Sequence, residues 1–167
     1  MKKKPYLYCL LLLILLPLFQ GCPYEAKAPL GDKANGRVNE NLFGIWYSDQ
    51  KVNPSRSIIS KGSDNEYKII HHREVNAKIE ISEFCAYTTQ VGKETFMNVY
   101  EPVKRYTAGG FLIYKITMLD PNTIKITELD KYKVPLDVDT REELISFIQT
   151  NKGIYGDSET WIREQKR

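Results

Sequence analysis

The chain has 167 residues, of which 24 are basic and 21 acidic, and a formal net charge of +3 at pH 7. Three lysines at positions 2 to 4 account for this charge, because the first 21 residues hold no acidic residue and the remainder is neutral. A neutral domain lacks the basic surface of a nucleic-acid-binding protein and has no general attraction to an anionic membrane. The composition therefore predicts no nucleic-acid partner.

The first 22 residues are arranged in the order of an export signal. The three lysines are followed by an unbroken apolar run from Tyr6 to Phe19 and then by Gly21 and Cys22. At about 1.5 Å of rise per residue the run spans roughly 21 Å, which is less than the roughly 30 Å hydrocarbon core of a bilayer. The run therefore predicts a signal peptide rather than a membrane-spanning helix.

The order of lysines, apolar run, Gly21 and Cys22 resembles a bacterial lipoprotein signal. The resemblance implies that residues 1–21 are a signal peptide, that cleavage falls between Gly21 and Cys22, and that Cys22 carries palmitate and other acyl chains. These chains would hold the protein to a membrane of the bacterial cell envelope, at the outer membrane, in the periplasm or at the cell surface. Each buried methylene contributes about 0.8 kcal/mol, so several chains hold far better than one.

Two other interpretations of this segment stay open. An uncleaved anchor would continue the helix past Gly21, and Pro17 and Pro23 disfavour it because proline lacks the amide proton that a helix needs. Ordinary secretory cleavage would fall at the alanine-lysine-alanine triplet of residues 26–28, and Pro29 directly after the triplet disfavours it.

If Cys22 is acylated, Cys85 has no disulfide partner, because the third cysteine, Cys9, is removed with the leader. Free cysteine is among the most buried residue types, so we expect Cys85 to be a buried structural residue.

Residues 22–40 predict a lipidated N-terminus followed by a flexible tether. Residues 23–40 contain two prolines, two glycines and many charges, and they follow neither the period of a strand nor that of a helix. As a flexible coil they would reach roughly 20–25 Å on average.

Residues 41–167 predict a single domain in which short strands alternate apolar with polar residues. The predicted strands are Phe43–Tyr47, Arg56–Ser60, Tyr67–His71, Asn76–Val91, Thr95–Glu101, Phe111–Met118, Thr123–Leu129 and Glu159–Arg163, with a short extension at Tyr132–Val134. A change of phase near Glu83 and Phe84 predicts a β-bulge in the long fourth strand.

One helix is predicted near residues 140–152. Thr140 and Glu143 fit a capping box, and Leu144 and Ile148 recur at helical spacing. The predicted fold class is therefore all-β with one helix, as an antiparallel up-and-down barrel or a barrel-like sandwich of about eight strands.

The first predicted strand carries Gly44, Ile45 and Trp46, and this Gly-x-Trp pattern resembles the first strand of lipocalins. The order of strands, one outer helix and a last short strand is also similar to that group. The resemblance implies that Trp46 closes the base of a barrel and that Arg163 stacks on it, in a cation–π contact of about 0.5–2 kcal/mol. The chain further resembles small uncharacterised bacterial lipoproteins that begin Cys-Pro-Tyr-Glu, as residues 22–25 do here.

A barrel of this size holds one small ligand, or its interior is filled by side chains. The expected cavity lining is Ile79, Ile81, Phe96, Tyr100, Leu112 and Tyr114. We therefore expect a cell-envelope lipoprotein that binds a small apolar ligand or lipid. The alternative is a non-enzymatic interaction or structural module of the envelope, with a filled barrel and an envelope protein as its partner.

The sequence offers no pattern for catalysis or for a cofactor. His71 and His72 are neighbours in a predicted strand, so their side chains point to opposite faces and do not chelate one metal ion. No spaced cysteine or histidine cluster and no glycine-rich phosphate loop is present. The basic patch at residues 104–106 is expected to be a solvated loop. We predict no enzymatic activity, no metal site and no cofactor.

Overall fold

The computed structural model describes residues 24–50, 54–63, 65–102 and 110–165. The predicted signal peptide, its cleavage site between Gly21 and Cys22, and the basic patch at residues 104–106 lie outside these residues.

The described residues form nine β-strands, one α-helix and two short 3₁₀ turns. The strands are β1 (Glu25–Ala26), β2 (Gly44–Ser48), β3 (Ser55–Lys61), β4 (Tyr67–Val75), β5 (Lys78–Val91), β6 (Glu94–Tyr100), β7 (Phe111–Asp120), β8 (Thr123–Leu129) and β9 (Tyr155–Arg163). The helix α1 spans Arg141–Thr150, and the 3₁₀ turns are Lys33–Asn35 and Glu40–Leu42.

Strands β2 to β9 form a closed antiparallel barrel in which each strand pairs with the next along the chain. The barrel closes where β9 returns to β2, with Trp46 opposite Arg163 and Ser48 opposite Trp161. Closure removes the unpaired edges that an open sheet would expose. Strand β1 lies outside the barrel and pairs with the first two residues of β7. The predicted all-β barrel with one helix is therefore confirmed.

The barrel has two ends, which we call the base and the mouth. The base is the end where β2 begins, and the mouth is the end where the β4–β5 hairpin and the segment between β8 and α1 leave the barrel. At the base, the indole Nε1 of Trp46 donates a hydrogen bond of 2.9 Å to the backbone oxygen of Leu42. Leu42 is buried in the interior cluster, so the 3₁₀ turn before β2 closes this end.

The helix packs on the outside of the barrel wall. The backbone N–H of Glu143 donates to the Thr140 hydroxyl, and the Glu143 carboxylate accepts from the Thr140 N–H at 2.9 Å. This is the predicted capping box, and it satisfies two N–H groups that a helix start leaves free. Leu144 and Ile148 are buried against apolar side chains on the outward face of β6 and β7. The helix prediction is confirmed, with an end two residues earlier.

The prediction of a flexible tether is wrong for residues 24–40, which pack along the outside of β5 to β7. Ala26 and Leu30 are each only 1% exposed. The Leu30 N–H donates to the side-chain oxygen of Asn98 at 2.7 Å, and Arg37 forms a β-bridge with β5. The segment is held by isolated contacts to neighbouring strands and does not form a long strand or helix with one apolar face. Its sequence therefore shows no regular period.

The predicted β-bulge near Glu83 and Phe84 is also wrong. Strand β5 pairs with β4 and β6 without any shift of register. The change of phase arises because the N-terminal segment covers the outward face of β5 only in the second half of the strand. There Tyr87 is buried and its hydroxyl donates to the Gly31 backbone oxygen at 2.9 Å. Residues on both faces of β5 are therefore buried from Ala86 to Thr88.

Two further differences concern the C-terminal third. Residues Tyr132–Val134 form a turn instead of the predicted extension, closed by a Lys133 N–H bond of 2.9 Å to the Asp130 backbone oxygen. The last strand begins at Tyr155 rather than at Glu159. Its first half is mostly exposed on its outward face, so the apolar signal is confined to the second half.

Candidate functional site

A cavity of about 530 Å³ occupies the barrel interior. Its deeper wall is apolar and includes Trp46, Ile59, Ile69, Val99, Ile116 and Ile124. Towards the mouth the wall becomes polar, with Gln50, Ser57, His71, Arg73, Glu128, Asp157 and Glu159. The strands thus combine an apolar pocket with a polar entrance, which is the usual composition of small-molecule sites.

Two of the six side chains predicted to line the cavity do so, namely Leu112 and Tyr114 on β7. Ile79 and Ile81 do not, since they are 70% and 65% exposed on the β4–β5 hairpin. The prediction is wrong for this pair because both side chains point away from the interior. They lie opposite Glu74 and His72 on β4, the positions that alternate with the cavity-lining His71 and Arg73.

Phe96 and Tyr100 are buried but lie on the outward face of β6, so their predicted place in the cavity is also wrong. Phe96 belongs to the cluster beneath the helix, and Tyr100 packs edge-on against Phe111 at 5.7 Å between ring centroids. The inward residues of this strand are Met97 and Val99. Alternation alone does not identify the inner face here, because both faces of β6 are buried.

Three carboxylates lie on one side of the mouth. Glu128 follows Ile124 and Ile126 on the inward face of β8, and Asp157 and Glu159 extend from β9. The pairing of β8 with β9 shifts register between Thr127 and Leu129, on either side of Glu128. Sequence reasoning missed all three, although the alternation of Ile124 and Ile126 continues to Glu128.

The charges at the mouth act on Glu128 and on the phenol of Tyr114 beside it. Burial first, and then charges that include those of Asp157 and Glu159, raise the pKa of the Glu128 carboxyl. Tyr114 is the cross-strand partner of Glu128. Burial, and then the charges of Glu128 and Glu159, raise the pKa of the Tyr114 phenol, so it remains protonated and able to donate.

A histidine and an arginine on β4 form the opposite wall. Burial, and then the charges of Arg73 and His72, lower the pKa of His71, so its imidazole is neutral at pH 7. His71 Nδ1 shares a hydrogen bond of 2.9 Å with the Ser57 hydroxyl. Its ring centroid lies 6.0 Å from that of Trp161. Arg73 is therefore the main positive charge facing three carboxylates at the cavity wall.

Glu159 is held in place by two donors. The indole Nε1 of Trp161 donates to one carboxylate oxygen at 3.0 Å, and the amide of Gln50 donates to the other. These bonds fix the position of the carboxylate and leave its charge uncompensated. The carboxylates therefore create a negative potential at the entrance of an apolar cavity.

The structure brings Trp46 and Arg163 together at the base. The guanidinium carbon lies 4.7 Å from the indole centroid, within the range of a cation–π contact. Gly44 is required by its backbone conformation, because its φ of +139° is one that L side chains rarely adopt. A Cβ there would lie 3.7 Å from the Arg163 side chain, at ordinary van der Waals contact. The Gly-x-Trp pattern thus has a physical role in this chain.

A second polar cluster lies outside the barrel, around the buried carboxylate of Glu66. It accepts from Ser63 at 2.6 Å and from Tyr100, and it forms an ion pair of 2.5 Å with Lys33. This network ties the N-terminal segment to the barrel wall. Burial, and then the charge of Glu66, raise the pKa of the nearby half-buried Cys85 thiol, which is the opposite of an activated nucleophile.

Across the described ranges, no group of three or more histidine, cysteine, aspartate or glutamate side chains is arranged to hold a metal ion. Within those same ranges, no helix has the length and apolar character needed to cross a membrane.

Fold and cavity together define a closed eight-stranded antiparallel barrel with an internal pocket, an architecture consistent with a lipocalin-like barrel. No protein-family model, curated protein or solved structure matches this chain.

Proposed function

We propose that the barrel binds one small amphiphile, with its apolar body in the cavity and its polar end at the mouth. The cavity of about 530 Å³ is the observation that supports this function. Small-molecule sites start at about 300 Å³ and combine apolar walls with a few polar groups. The proposal belongs to a lipocalin-like mode of binding and assigns no catalytic step, metal or cofactor to the protein.

The second candidate is an envelope interaction or structural module with a filled barrel. Native interiors are packed with few voids larger than a water molecule. A cavity many times that size favours the ligand barrel over this alternative.

The polar end of the ligand is predicted from the charges at the mouth. Three carboxylates face Arg73 and a neutral His71, so the balance of charge on the wall is negative. Burial, and then repulsion from neighbouring carboxylates, raise the pKa of Glu128; an ammonium group would relieve this repulsion, whereas a carboxylate would increase it. We therefore propose an amphiphile with a cationic or hydrogen-bond-donating end rather than an anionic one.

The cellular location of the protein is a second part of the proposal. We propose a bacterial cell-envelope lipoprotein held to its membrane by acyl chains on Cys22. The basic start, the apolar run and Gly21 before Cys22 support this. A Cys22→Ala variant, expressed in cells supplied with a fatty-acid probe, should lose both the label and the membrane fraction. Undiminished label would contradict the anchor.

Native mass spectrometry tests ligand binding. The protein is incubated with an alkylamine or with a fatty acid of equal chain length, and the complexes are counted. We expect the amine complex to dominate, and a Leu112→Trp variant to lose it because the indole fills the cavity. Ile162→Trp is the matched control, since Ile162 is exposed on the outside of β9. Equal binding by Leu112→Trp and the unmodified protein would rule out the cavity as the site.

A further inference from the structure

The mouth carries the most exposed large hydrophobic side chains among the residues that the structure describes. Leu136 is 95% exposed and Tyr132 is 72% exposed, both in the segment between β8 and α1. Ile79 and Ile81 on the β4–β5 hairpin have similar exposure. Away from the mouth, the most exposed such side chain is Leu119, at 55%. Exposed apolar surface of this kind marks a site of interaction.

The hairpin projects from the barrel at this end. Seven residues of β5, Lys78 to Phe84, precede the start of pairing with β6. On its other side the hairpin stays paired with β3 up to Arg73, so only residues 74–79 extend beyond both neighbouring strands. Ile79 and Ile81 are two positions apart and therefore lie on the same face of β5, which is its outward face. The rim of the barrel thus presents two apolar side chains that no described strand covers.

The N-terminal part of the chain leaves the described structure close to the same end. Strand β1 pairs antiparallel with the first two residues of β7, which begins at the mouth, so Glu25 lies one residue further from the mouth than Ala26. The Gly110 N–H donates to the Glu25 side chain at 2.8 Å. Tyr24 packs against the cluster beneath the helix. In the sequence only Pro23 separates Cys22 from Tyr24, and one Cα step spans about 3.8 Å. Because residues 24–40 are packed, no long tether separates Cys22 from the barrel.

We infer that the mouth of the barrel lies on a lipid bilayer, with the side chains of Ile79, Ile81, Tyr132 and Leu136 inserted among the lipids. The inference rests on the proposed lipoprotein anchor and adds an orientation to it. Acyl chains on Cys22, which is three residues before β1 in the sequence, would tether the side of the barrel beside the mouth and hold these side chains near the membrane surface. A ligand would then pass between the bilayer and the cavity without crossing water.

The surroundings of these side chains suit a bilayer. The ammonium of Lys131 lies 5.0 Å from the ring centroid of Tyr132, and a tyrosine with a long cationic side chain is typical of the membrane interface. Outside the leader the chain is neutral, so insertion of apolar side chains must drive the contact. The contact should therefore form on zwitterionic lipid and persist at high salt.

The test uses the full chain, processed and acylated, in phosphatidylcholine vesicles. In a Cys85→Ser background, a single cysteine introduced as Ile79→Cys carries an environment-sensitive fluorophore. Leu119→Cys, near the base, is the matched control. We expect iodide in water to quench the fluorophore at position 79 about fivefold less than at position 119, and doxyl-labelled lipids to quench only position 79.

Equal iodide quenching at the two positions would overturn the inference. Protection from iodide at position 79 without quenching by doxyl lipids would also overturn it, in favour of a protein partner or second copy. Two further measurements separate this result from the proposed function. The mass of the processed protein reports acylation of Cys22, and Leu112→Trp should abolish amphiphile binding while leaving the quenching at position 79 unchanged.

Discussion

The guanidinium carbon of Arg163 lies 4.7 Å from the indole centroid of Trp46, at the seam where the last strand of the barrel pairs with the first. The same guanidinium donates to the Asn41 backbone oxygen in the turn before β2. Its Nε is buried and has no hydrogen-bond partner within the described residues. Arg163 thus joins the seam, the tryptophan and the turn that closes the base.

Replacing Arg163 with alanine should destabilise the barrel. The stacking alone contributes about 0.5–2 kcal/mol, and the free energy of unfolding in urea should fall by that amount or slightly more. Arg163→Lys should recover only part of the loss, because a lysine lacks the planar group. Arg37→Ala, which removes an exposed arginine and keeps its backbone bridge, is the control. An unfolding curve for Arg163→Ala equal to that of the unmodified protein would contradict this role.

The barrel and its helix were accessible from sequence because they follow simple periods. Thr140 and Glu143 gave the helix start, and the pair Trp46 and Arg163 followed from a resemblance in a three-residue pattern. The cavity lining was less accessible, since Phe96 lies on a strand that is buried on both faces. The acid at Glu128 was missed because a charged residue on an alternating strand is ordinarily assigned to the outside.

The N-terminal segment was misassigned because residues 24–40 follow no regular period although they are packed on the barrel. A substitution of Leu30 tests this packing. Leu30 is almost fully buried beneath the helix, so Leu30→Ala should lower the free energy of unfolding by about 2–4 kcal/mol. A residue in a flexible tether would give almost no change. Leu136→Ala is the matched control, because it removes the same atoms from an exposed site and should change stability by less than about 0.5 kcal/mol. Urea unfolding of both variants measures the difference.

The turn of the β4–β5 hairpin contains a residue in an unfavourable conformation. Asn76 and Ala77 both have positive φ, at 53° and 59°. Two-residue turns of this type favour asparagine followed by glycine, because a Cβ at the second position is strained. Ala77→Gly should therefore stabilise the hairpin by about 1 kcal/mol, seen as slower amide hydrogen exchange in β4 and β5.

Asn76→Gly is the control for the same turn. Asparagine tolerates positive φ, so the gain in protection should be clearly smaller than for Ala77→Gly. Equal or reversed effects of the two substitutions would show that Ala77 carries no strain.

The raised pKa of Glu128 predicts how stability depends on pH. In the folded state this carboxyl binds its proton more tightly than in the unfolded state, chiefly because it is buried. The folded state therefore holds more protons between the two pKa values, and stability falls as pH rises through the unfolded pKa towards the folded one. Glu128→Gln removes this penalty. Its melting temperature should exceed that of the unmodified protein at about pH 7.5 and approach it at about pH 4, where the carboxyl is mostly protonated in both states.

Glu74→Gln controls for the change in net charge, because Glu74 is exposed on the β4–β5 hairpin. It should leave the difference in melting temperature between the two pH values almost unchanged. The same Glu128→Gln protein should bind an alkylamine less tightly, since it lacks one of the three carboxylates that attract the ammonium group. A variant that gains stability at neutral pH and loses amine affinity would link both effects to one buried charge at the mouth. Stabilisation by Glu128→Gln at about pH 4 as large as at about pH 7.5 would contradict the link, because a protonated carboxyl carries no charge to remove.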